Sequence, residues 1–309
     1  MRKPTQLTET SRTGRRPELQ DWLNARLFHP LALRLAMLLR PLGVTPNMVS
    51  VLGVLTVTLA AIAYTRIDWP AGAIIGFALH LFWHVVDGAD GDLARISGRV
   101  SANGEFVDGV CDYIGHIALY IILAAMLDDT LGGWAWVLVV LAGASHIAQN
   151  NHYESLRRSY LWWAYGTPWL HQSDARDDPA LRDRSWFNYV FGWMARDYLT
   201  LSAATAPGRG EIDDVLDANA GSPEGLEAMR QVVRFHARKI TAPSALLGSN
   251  SRTITLGLCM LANVPVAFLL IEIVVQNVLL AASTVRTRRA LQETAAAMRA
   301  RSPEGRTPQ

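Results

Sequence analysis

The sequence has little lysine, little cysteine and few charged residues for its length. Lysine occurs twice in 309 residues, as Lys3 and Lys239, and cysteine twice, as Cys111 and Cys259. Both cysteines lie in apolar runs, so no disulfide framework is indicated. Charged residues make up 18% of the chain, below the roughly 25% of soluble domains, and 50% of the residues are hydrophobic. Because the apolar residues form long runs, the sequence predicts an all-α integral membrane protein.

A cleavable signal peptide and a nucleic-acid function find no support either. The first forty residues are polar and rich in arginine and lack an uninterrupted apolar core, so insertion is expected to depend on the first true span. The net charge of +2 gives no indication of a nucleic-acid partner, and none is expected. Residues 1 to about 20 are predicted to be disordered.

The apolar runs predict a bundle of six transmembrane helices. Spans one to four are expected at 47–65, 71–88, 106–126 and 133–150. The last run, 253–285, is long for one span of about 20 residues and short for two. Pro265 and the arginines at both ends of this run favour a hairpin of two spans.

The remaining segments complete the predicted domain organisation. Residues 20–42 intersperse leucine with arginine, which predicts an amphipathic interfacial helix; a soluble helix packed on another domain is the alternative. The predicted segments are a cytoplasmic N-terminal segment (1–46), spans one to four (47–150), a cytoplasmic or interfacial insertion (151–252), the last two spans (253–289) and a cytoplasmic tail (290–309).

The distribution of arginine predicts the topology. Arginines crowd the N-terminal region, the 91–105 turn, the region after 156 and the tail, whereas the turns at 66–70 and 127–132 contain one between them. By the positive-inside rule, both termini and the 91–105 turn face the cytoplasm. The abundance of arginine and alanine suggests a GC-rich genome, and the expected location is a bacterial inner membrane.

Four aspartates lie where spans two and three meet the 91–105 turn: Asp87, Asp90, Asp108 and Asp112. The members of each pair are three or four residues apart, so each pair projects from one helix face if both flanks are helical. Like charges at this density near a membrane require protons, partners or metal. Mg²⁺ or Mn²⁺ is the expected occupant, since an all-carboxylate set suits hard cations better than zinc. Helix capping is the structural alternative, but it uses one acid per helix start.

Small residues and an arginine accompany these acids. Gly91 and Gly104 would let the backbone approach a ligand closely, Ala94 leaves space, and Arg95 suits a phosphate. Together with the carboxylates they suggest metal-bridged phosphate chemistry. Asp92 occupies a position to which we assign no role from the sequence.

This stretch resembles the signature of the CDP-alcohol phosphatidyltransferases, D-x2-D-G-x2-A-R-x8-G-x3-D-x3-D. Every fixed position is matched, by Asp87, Asp90, Gly91, Ala94, Arg95, Gly104, Asp108 and Asp112. Pro46, Asn47 and Ser50 also look like the start of the family's first span. The resemblance covers roughly 41–150 and extends loosely to the last hairpin, whereas the large 152–252 segment departs from the compact family pattern.

The resemblance implies a reaction. A phosphatidyl group would pass from a CDP-linked lipid, usually CDP-diacylglycerol, to the hydroxyl of an alcohol acceptor, with release of CMP. Asp87, Asp90 and Asp108 would hold two divalent metals, and Asp112 would share metal binding with the role of general base. The implied CDP-binding residues are Gly91, Ala94, Arg95 and Gly104. A homodimer is expected from the resemblance only.

Rival functions remain open on the sequence. A phosphotransferase that uses a soluble CDP-alcohol, such as CDP-choline, and a lipid acceptor would carry the same motif. An ion or proton transporter would explain the aspartates and Glu272 but leave the motif's glycines and arginine unused. The acceptor alcohol is equally open among inositol or its phosphate, glycerol phosphate and serine. A phosphorylated acceptor would need cations beyond Arg95, with Arg99, Arg157 and Arg158 as candidates.

Other polar residues allow two interpretations each. His80 and His84 share a helical face with Asp87, and His116 lies one turn beyond Asp112, so these histidines either contact substrate or are satisfied between helices. Glu272 is either a functional group or one buried by pairing. The 152–252 insertion could be a lid, a partner site or an interfacial scaffold, with helical potential at 189–199 and 225–236.

Overall fold

The computed structural model describes residues 16–100, 102–167 and 210–301, and in these ranges the secondary structure is helical, without strands. The α-helices are α1 (His29–Leu39), α2 (Pro46–Arg66), α3 (Ala71–Ser97), α4 (Ala102–Leu131), α5 (Trp134–Tyr165), α6 (Gly210–Ala218), α7 (Pro223–Phe235), α8 (Ala237–Thr241), α9 (Ser249–Leu261), α10 (Pro265–Leu270) and α11 (Gln276–Arg301). The predicted all-α class is confirmed. The possible helix at 189–199 lies outside the described residues. So does the N-terminal segment predicted to be disordered, except for residues 16–20.

Within the described ranges, four helices are long and apolar enough to cross a membrane. They are α2, α3, the Val107–Leu131 part of α4, and the continuous helix Pro265–Arg301, in which a π-helical turn at Ile271–Val275 joins α10 to α11. These helices contain predicted spans one, two, three and the last. Predicted span four lies in α5, whose 32 residues become polar in the second half, and the predicted fifth span corresponds to α9, which has only 13 residues.

The turn between the two aspartate pairs is much shorter than the predicted 91–105 segment. Helix α3 continues to Ser97, and α4 begins at Ala102. Gly98 ends α3 with a left-handed φ of 67°, and the Arg99 N–H donates to the Ala94 carbonyl at 2.8 Å. This is the Schellman arrangement, which satisfies a carbonyl that the ending helix leaves without a partner. Both aspartate pairs therefore lie within helices.

The start of α2 follows from its sequence. Pro46 occupies the first helical turn, where the missing N–H costs nothing. The Thr45 hydroxyl accepts a hydrogen bond from the Met48 N–H at 3.4 Å, as an N-cap residue does. Ser50 comes one turn after Pro46, on the buried side of α2.

The helices form two compact units, of which the first comprises Met1–Ala144 and Ser249–Ile273. Within it, α2 packs along α3 and α4, and α9 packs on α3 and α10. Its main core contains Val57, Trp83, Leu119, Leu123, Leu256 and Phe268. Gly257 allows α9 to approach α3 closely, because a Cβ at this position would overlap the Phe77 ring.

Helix α1 also belongs to the first unit and packs on α3. One face of α1 buries Ala32 and Ala36 in a cluster that includes Ala89 and Leu93 of α3. The opposite face exposes large apolar side chains, including Met37 and Leu38. The N-terminal segment therefore packs on the aspartate-bearing helix through small residues.

The second unit comprises Ser145–Gly248 and Val274–Gln309. In its described part, α6, α7, α8 and the 3₁₀ segment Ala242–Leu247 pack against α11. Helix α7 buries Met229, Val232 and Val233 and coincides with the helical potential noted for 225–236. The Trp163 indole N–H of α5 donates to Asp213 of α6 at 2.8 Å. This part of the insertion is thus a packed helical structure.

Candidate metal and nucleotide site

Three of the four motif aspartates form one compact cluster in the first unit. Helix α3 presents Asp87, and α4 presents Asp108 and Asp112 one turn apart. One carboxylate oxygen from each lies within 4.8 Å of the others, and all three residues are partly buried. The four-residue spacing on α4 places its two acids on one face, as the sequence predicts. Opposed helix faces therefore concentrate three oxygen ligands in one place.

Asp90 adjoins this cluster and is more deeply buried, with 5% of its surface exposed. Its carboxyl shares a hydrogen bond with the Asp108 side chain. The Ser50 hydroxyl of α2 donates to Asp90 Oδ2 at 2.6 Å, and the Gly91 N–H donates to Oδ1. The four acids therefore form one group, with Asp90 held in place from two sides.

The small motif residues surround the acids along the two helices. Gly91 follows Asp90 directly, and Ala94 lies one turn further along α3, half-buried. Gly104 lies in the first turn of α4, one turn before Asp108. The eight motif positions thus occupy the last three turns of α3 and the first three of α4.

Arg95 lies at the exposed side of this group. Its Nη2 donates to Asp92 Oδ1 at 2.8 Å, and about a third of its side chain is exposed. A Cβ built on Gly91 would lie 3.3 Å from Nη2 and 3.4 Å from Nη1, so the guanidinium group lies against the Gly91 backbone. Asp92 is 1% exposed. The residue that received no role from the sequence is therefore the partner of the motif arginine.

The three histidines next to the acids lie between helices. His84 Nε2 is 3.0 Å and His80 Nε2 is 3.3 Å from the Thr253 hydroxyl of α9. His116 Nδ1 is 2.8 Å from the Asp112 backbone carbonyl. The rings of His80 and His116 pack around Trp83. These contacts favour the interpretation that the histidines are satisfied between helices.

Glu272 is paired within the first unit. It lies in the π-helical turn of the Pro265–Arg301 helix and is fully buried. Arg252 of α9 donates from Nε to Glu272 Oε2 at 3.3 Å, and the Arg252 side chain is 4% exposed. Of the two interpretations of Glu272, the structure supports burial by pairing.

The additional cations proposed for a phosphorylated acceptor differ in their surroundings. Arg99 is exposed just after α3. Arg157 and Arg158 belong to the second unit, and both bind Glu154 at 2.9 Å. Burial raises the pKa of the Glu154 carboxyl, but the two guanidinium groups outweigh burial, and the net pKa lies below the ordinary value.

Polar side chains also join α5 to α11 within the second unit. The Gln149 amide donates to Asn277 at 3.0 Å, and the Asn277 amide donates to Ser145 at 2.9 Å. Further along both helices, His152 Nε2 of α5 is 2.9 Å from the Ser283 hydroxyl of α11. Interhelical hydrogen bonds of this kind hold polar faces together where water is excluded.

The acidic cluster has the donor chemistry of a divalent-cation site. All of its ligands are hard carboxylate oxygens, which suit Mg²⁺ or Mn²⁺ and do not suit zinc. Several carboxylates this close repel one another, and a bound cation would remove that repulsion. The four apolar helices and the acidic cluster together define an integral membrane protein with a candidate divalent-cation site.

Comparison with known families identifies the domain that carries this site. Residues 43–161 match the family model of the CDP-alcohol phosphatidyltransferases, which covers less than half of the chain. Residues 43–161 are therefore similar to a CDP-alcohol phosphatidyltransferase domain, as the motif predicts. Such enzymes transfer a phosphatidyl group from a CDP-alcohol in phospholipid synthesis and generally use a divalent metal. Comparison with curated protein sequences gives no significant match.

Three residues of this region carried little or no signal in the sequence. Ser50 belongs to a weak motif, yet it reaches Asp90 across 40 positions. Thr253 looks like an ordinary span residue, yet it bridges two histidines. Asp92 falls at a free position of the signature, and only its burial and its contact with Arg95 distinguish it.

Proposed function

We propose that the protein transfers a phosphatidyl group from CDP-diacylglycerol, or a closely related CDP-linked lipid, to the hydroxyl of a small alcohol, with release of CMP. The observation that carries this proposal is the meeting of the motif carboxylates from α3 and α4, with three ligand oxygens within 4.8 Å, inside the matched domain. A capping role for the acids would not require this convergence, since each helix end uses one cap.

The motif residues divide by chemistry in this proposal. Asp87, Asp90 and Asp108 hold two Mg²⁺ or Mn²⁺ ions, and Asp112 shares metal binding with proton abstraction. The CDP moiety lies against Gly91, Ala94, Arg95 and Gly104. The contact between the Gly91 backbone and the Arg95 guanidinium group supports this assignment, because it brings two of these four residues together. When bound, the cations would neutralise the diphosphate and the charge that develops on the entering and leaving oxygens.

The remaining chemistry falls to the protein's own groups. Asp112 accepts the proton of the acceptor hydroxyl as that oxygen attacks the lipid-side phosphorus. A new phosphorus–oxygen bond forms to the acceptor, and the bond to the CMP oxygen breaks, so CMP leaves with the bonding electrons. Arg95 binds diphosphate oxygens through its planar donors. No covalent intermediate with the enzyme is required.

The membrane arrangement in this proposal has six spans with the acids at the cytoplasmic face. The four apolar helices supply spans one, two, three and six, and α5 and α9 supply spans four and five. The polar second half of α5 and the short length of α9 are compatible with burial among other helices. The lipid tails of the donor then remain in the bilayer while its charged head reaches the acids. The proposed location is a bacterial inner membrane.

The N-terminal segment (1–46) carries an interfacial helix in this arrangement. Helix α1 supports this because one face packs on α3 and the other exposes Leu31, Met37 and Leu38. Spans one to four (47–150), the 151–252 insertion, the last spans (253–289) and the tail (290–309) follow. We assign the insertion a scaffold role at the cytoplasmic side, and a homodimer is proposed on family grounds.

The test is CMP release by the purified protein in detergent. The assay contains CDP-diacylglycerol, Mg²⁺ or Mn²⁺ and a panel comprising inositol, inositol phosphate, glycerol phosphate and serine. Metal-dependent release with one acceptor, at least about 100-fold lower in Asp112→Asn, is expected, since general bases contribute about 10² to 10⁴. Asp128→Asn is the matched control, because Asp128 is an exposed aspartate near the far end of the same helix.

Two outcomes would contradict the proposal. Release of CMP from CDP-choline with a lipid acceptor, and none from CDP-diacylglycerol, would reverse the assignment of the donor. Absence of CMP release with every donor, together with ion flux in reconstituted vesicles that Asp112→Asn abolishes, would favour a transporter. An equal loss in Asp128→Asn would show that the aspartate substitution acts through folding.

A further inference from the structure

Asp92 is a buried carboxylate that the proposed reaction does not use. It lies on α3 between the metal-cluster residue Asp90 and the motif residue Arg95, and 1% of its surface is exposed. Leaving a charged group out of water is costly unless it is paired. Its Oδ1 accepts a hydrogen bond from Arg95 Nη2 at 2.8 Å, one helical turn further along. The buried carboxylate thus points toward the cation proposed to bind the donor.

The contact fixes the place of a long side chain. A free arginine has several rotatable bonds and loses their freedom on binding a ligand. Here the guanidinium group is held by Asp92 and rests against the Gly91 backbone. A side chain at position 91 would crowd the guanidinium group. About a third of the Arg95 side chain stays exposed, so it can still meet a ligand. The arrangement pre-organises the cation before the ligand arrives.

A second consequence concerns the acidic cluster next to it. Arg95 lies close enough to Asp90 to act on it electrostatically. An unrestrained guanidinium group so close to several carboxylates would be drawn toward them and would compete with a divalent cation. Because Asp92 provides Arg95 with a carboxylate partner of its own, the arginine stays beside the cluster.

We propose that Asp92 is a positioning residue that holds Arg95 in the orientation that binds the diphosphate of the CDP-linked donor. The inference rests on the proposed function, because it assigns a role toward the donor of that reaction. Asp92 itself does not touch the substrate in this scheme. Its effect is transmitted entirely through Arg95, and this makes the idea testable by a double-mutant cycle.

The experiment compares Asp92→Asn, Arg95→Ala and the double variant in the CMP-release assay, with the donor concentration varied at saturating acceptor. Asp92→Asn is expected to raise the donor KM about tenfold while kcat changes less than twofold. Arg95→Ala is expected to raise the donor KM at least as much. In the Arg95→Ala background, Asp92→Asn should have no further effect on KM, since the group that it positions is gone. Asp92→Glu should restore part of the affinity.

Two controls separate positioning from general damage. Glu293→Gln removes a carboxylate that pairs with a basic residue, Lys239, but in the second unit; the donor KM should not change. The thermal midpoint of each variant in detergent is measured alongside. A merely structural role for Asp92 would lower the midpoint and kcat and would act equally in both backgrounds.

The outcomes distinguish the two proposals. Equal KM effects of Asp92→Asn with and without Arg95 would overturn the positioning role, while the wild-type activity would still support the transferase. Binding of CDP with Mg²⁺, followed by calorimetry, gives a readout that needs no turnover. If the wild-type protein neither releases CMP nor binds CDP, the proposed function fails and the role of Asp92 fails with it.

Discussion

The buried pair of Arg252 and Glu272 gives the most direct test of the energetics of the first unit. The two side chains are 4% and 0% exposed, and the Nε to Oε2 distance is 3.3 Å. At this separation, Coulomb's law with an effective dielectric constant of about 20 gives an attraction of about 5 kcal/mol. Glu272→Gln removes this attraction and leaves the arginine cation buried without its counter-charge. We expect a loss of about 3 to 5 kcal/mol in the free energy of unfolding.

Replacing both partners should behave differently. In Arg252→Met with Glu272→Met no charge remains buried, and the desolvation cost of both ions is removed. Replacing a buried pair by apolar residues of similar volume is often neutral or stabilising. We therefore expect the double variant to recover most of the loss caused by Glu272→Gln.

The assay is equilibrium unfolding in mixed micelles with increasing sodium dodecyl sulfate, followed by circular dichroism. Glu293→Gln is the control, because its pair with Lys239 is largely exposed, and no measurable change is expected. A loss below about 1 kcal/mol in Glu272→Gln would refute the reasoning, because it falls well short of the cost expected for an uncompensated buried charge. A double variant as unstable as the single one would refute it as well, by showing that packing and not charge controls the site.

Two further predictions concern the metal site and the second unit. Removal of divalent cations by a chelator should abolish CMP release. Mg²⁺ or Mn²⁺ should restore it and Zn²⁺ should not, since the cluster offers carboxylate oxygens alone. Restoration by Zn²⁺ would contradict the ligand assignment. Gly166→Ala should lower the stability of the second unit by at least about 1 to 2 kcal/mol in the same unfolding assay, because Gly166 has a φ of 66° and a Cβ there would collide with the Arg230 guanidinium group. Gly210→Ala, whose Cβ would meet no neighbour among the described residues, is its control.

The predictable part of the site is the part that local periodicity controls. Asp108 and Asp112 lie one helical turn apart, so their common face follows from spacing alone once the segment is helical. The same argument placed Asp87 and Asp90 near one another on α3. The predicted length of the connecting turn was wrong, because the glycine and the polar residues of 91–97 suggested a loop. Gly91 instead lies inside α3, and Gly98 ends the helix.

The contacts between distant segments had no comparable signal. Ser50 meets Asp90, and Thr253 meets His84, across 40 and 169 positions of the chain. Which hydroxyl reaches which acceptor depends on how the helices pack, and that depends on many side chains at once. For the same reason Glu272 remained ambiguous until its partner on α9 was known. A charged residue in an apolar run indicates only that some partner is needed.

Long apolar runs and fixed motif spacing are local properties, so they are enough to predict the all-α membrane character, the positions of four apolar spans and the family that residues 43–161 match. The packing of the helices, in contrast, brings the carboxylates of two helices together, buries Asp92 next to Arg95 and pairs Arg252 with Glu272. These facts arise from the close packing of α3 with its neighbours, where burial sets the energetic cost of each charge and so selects its partner.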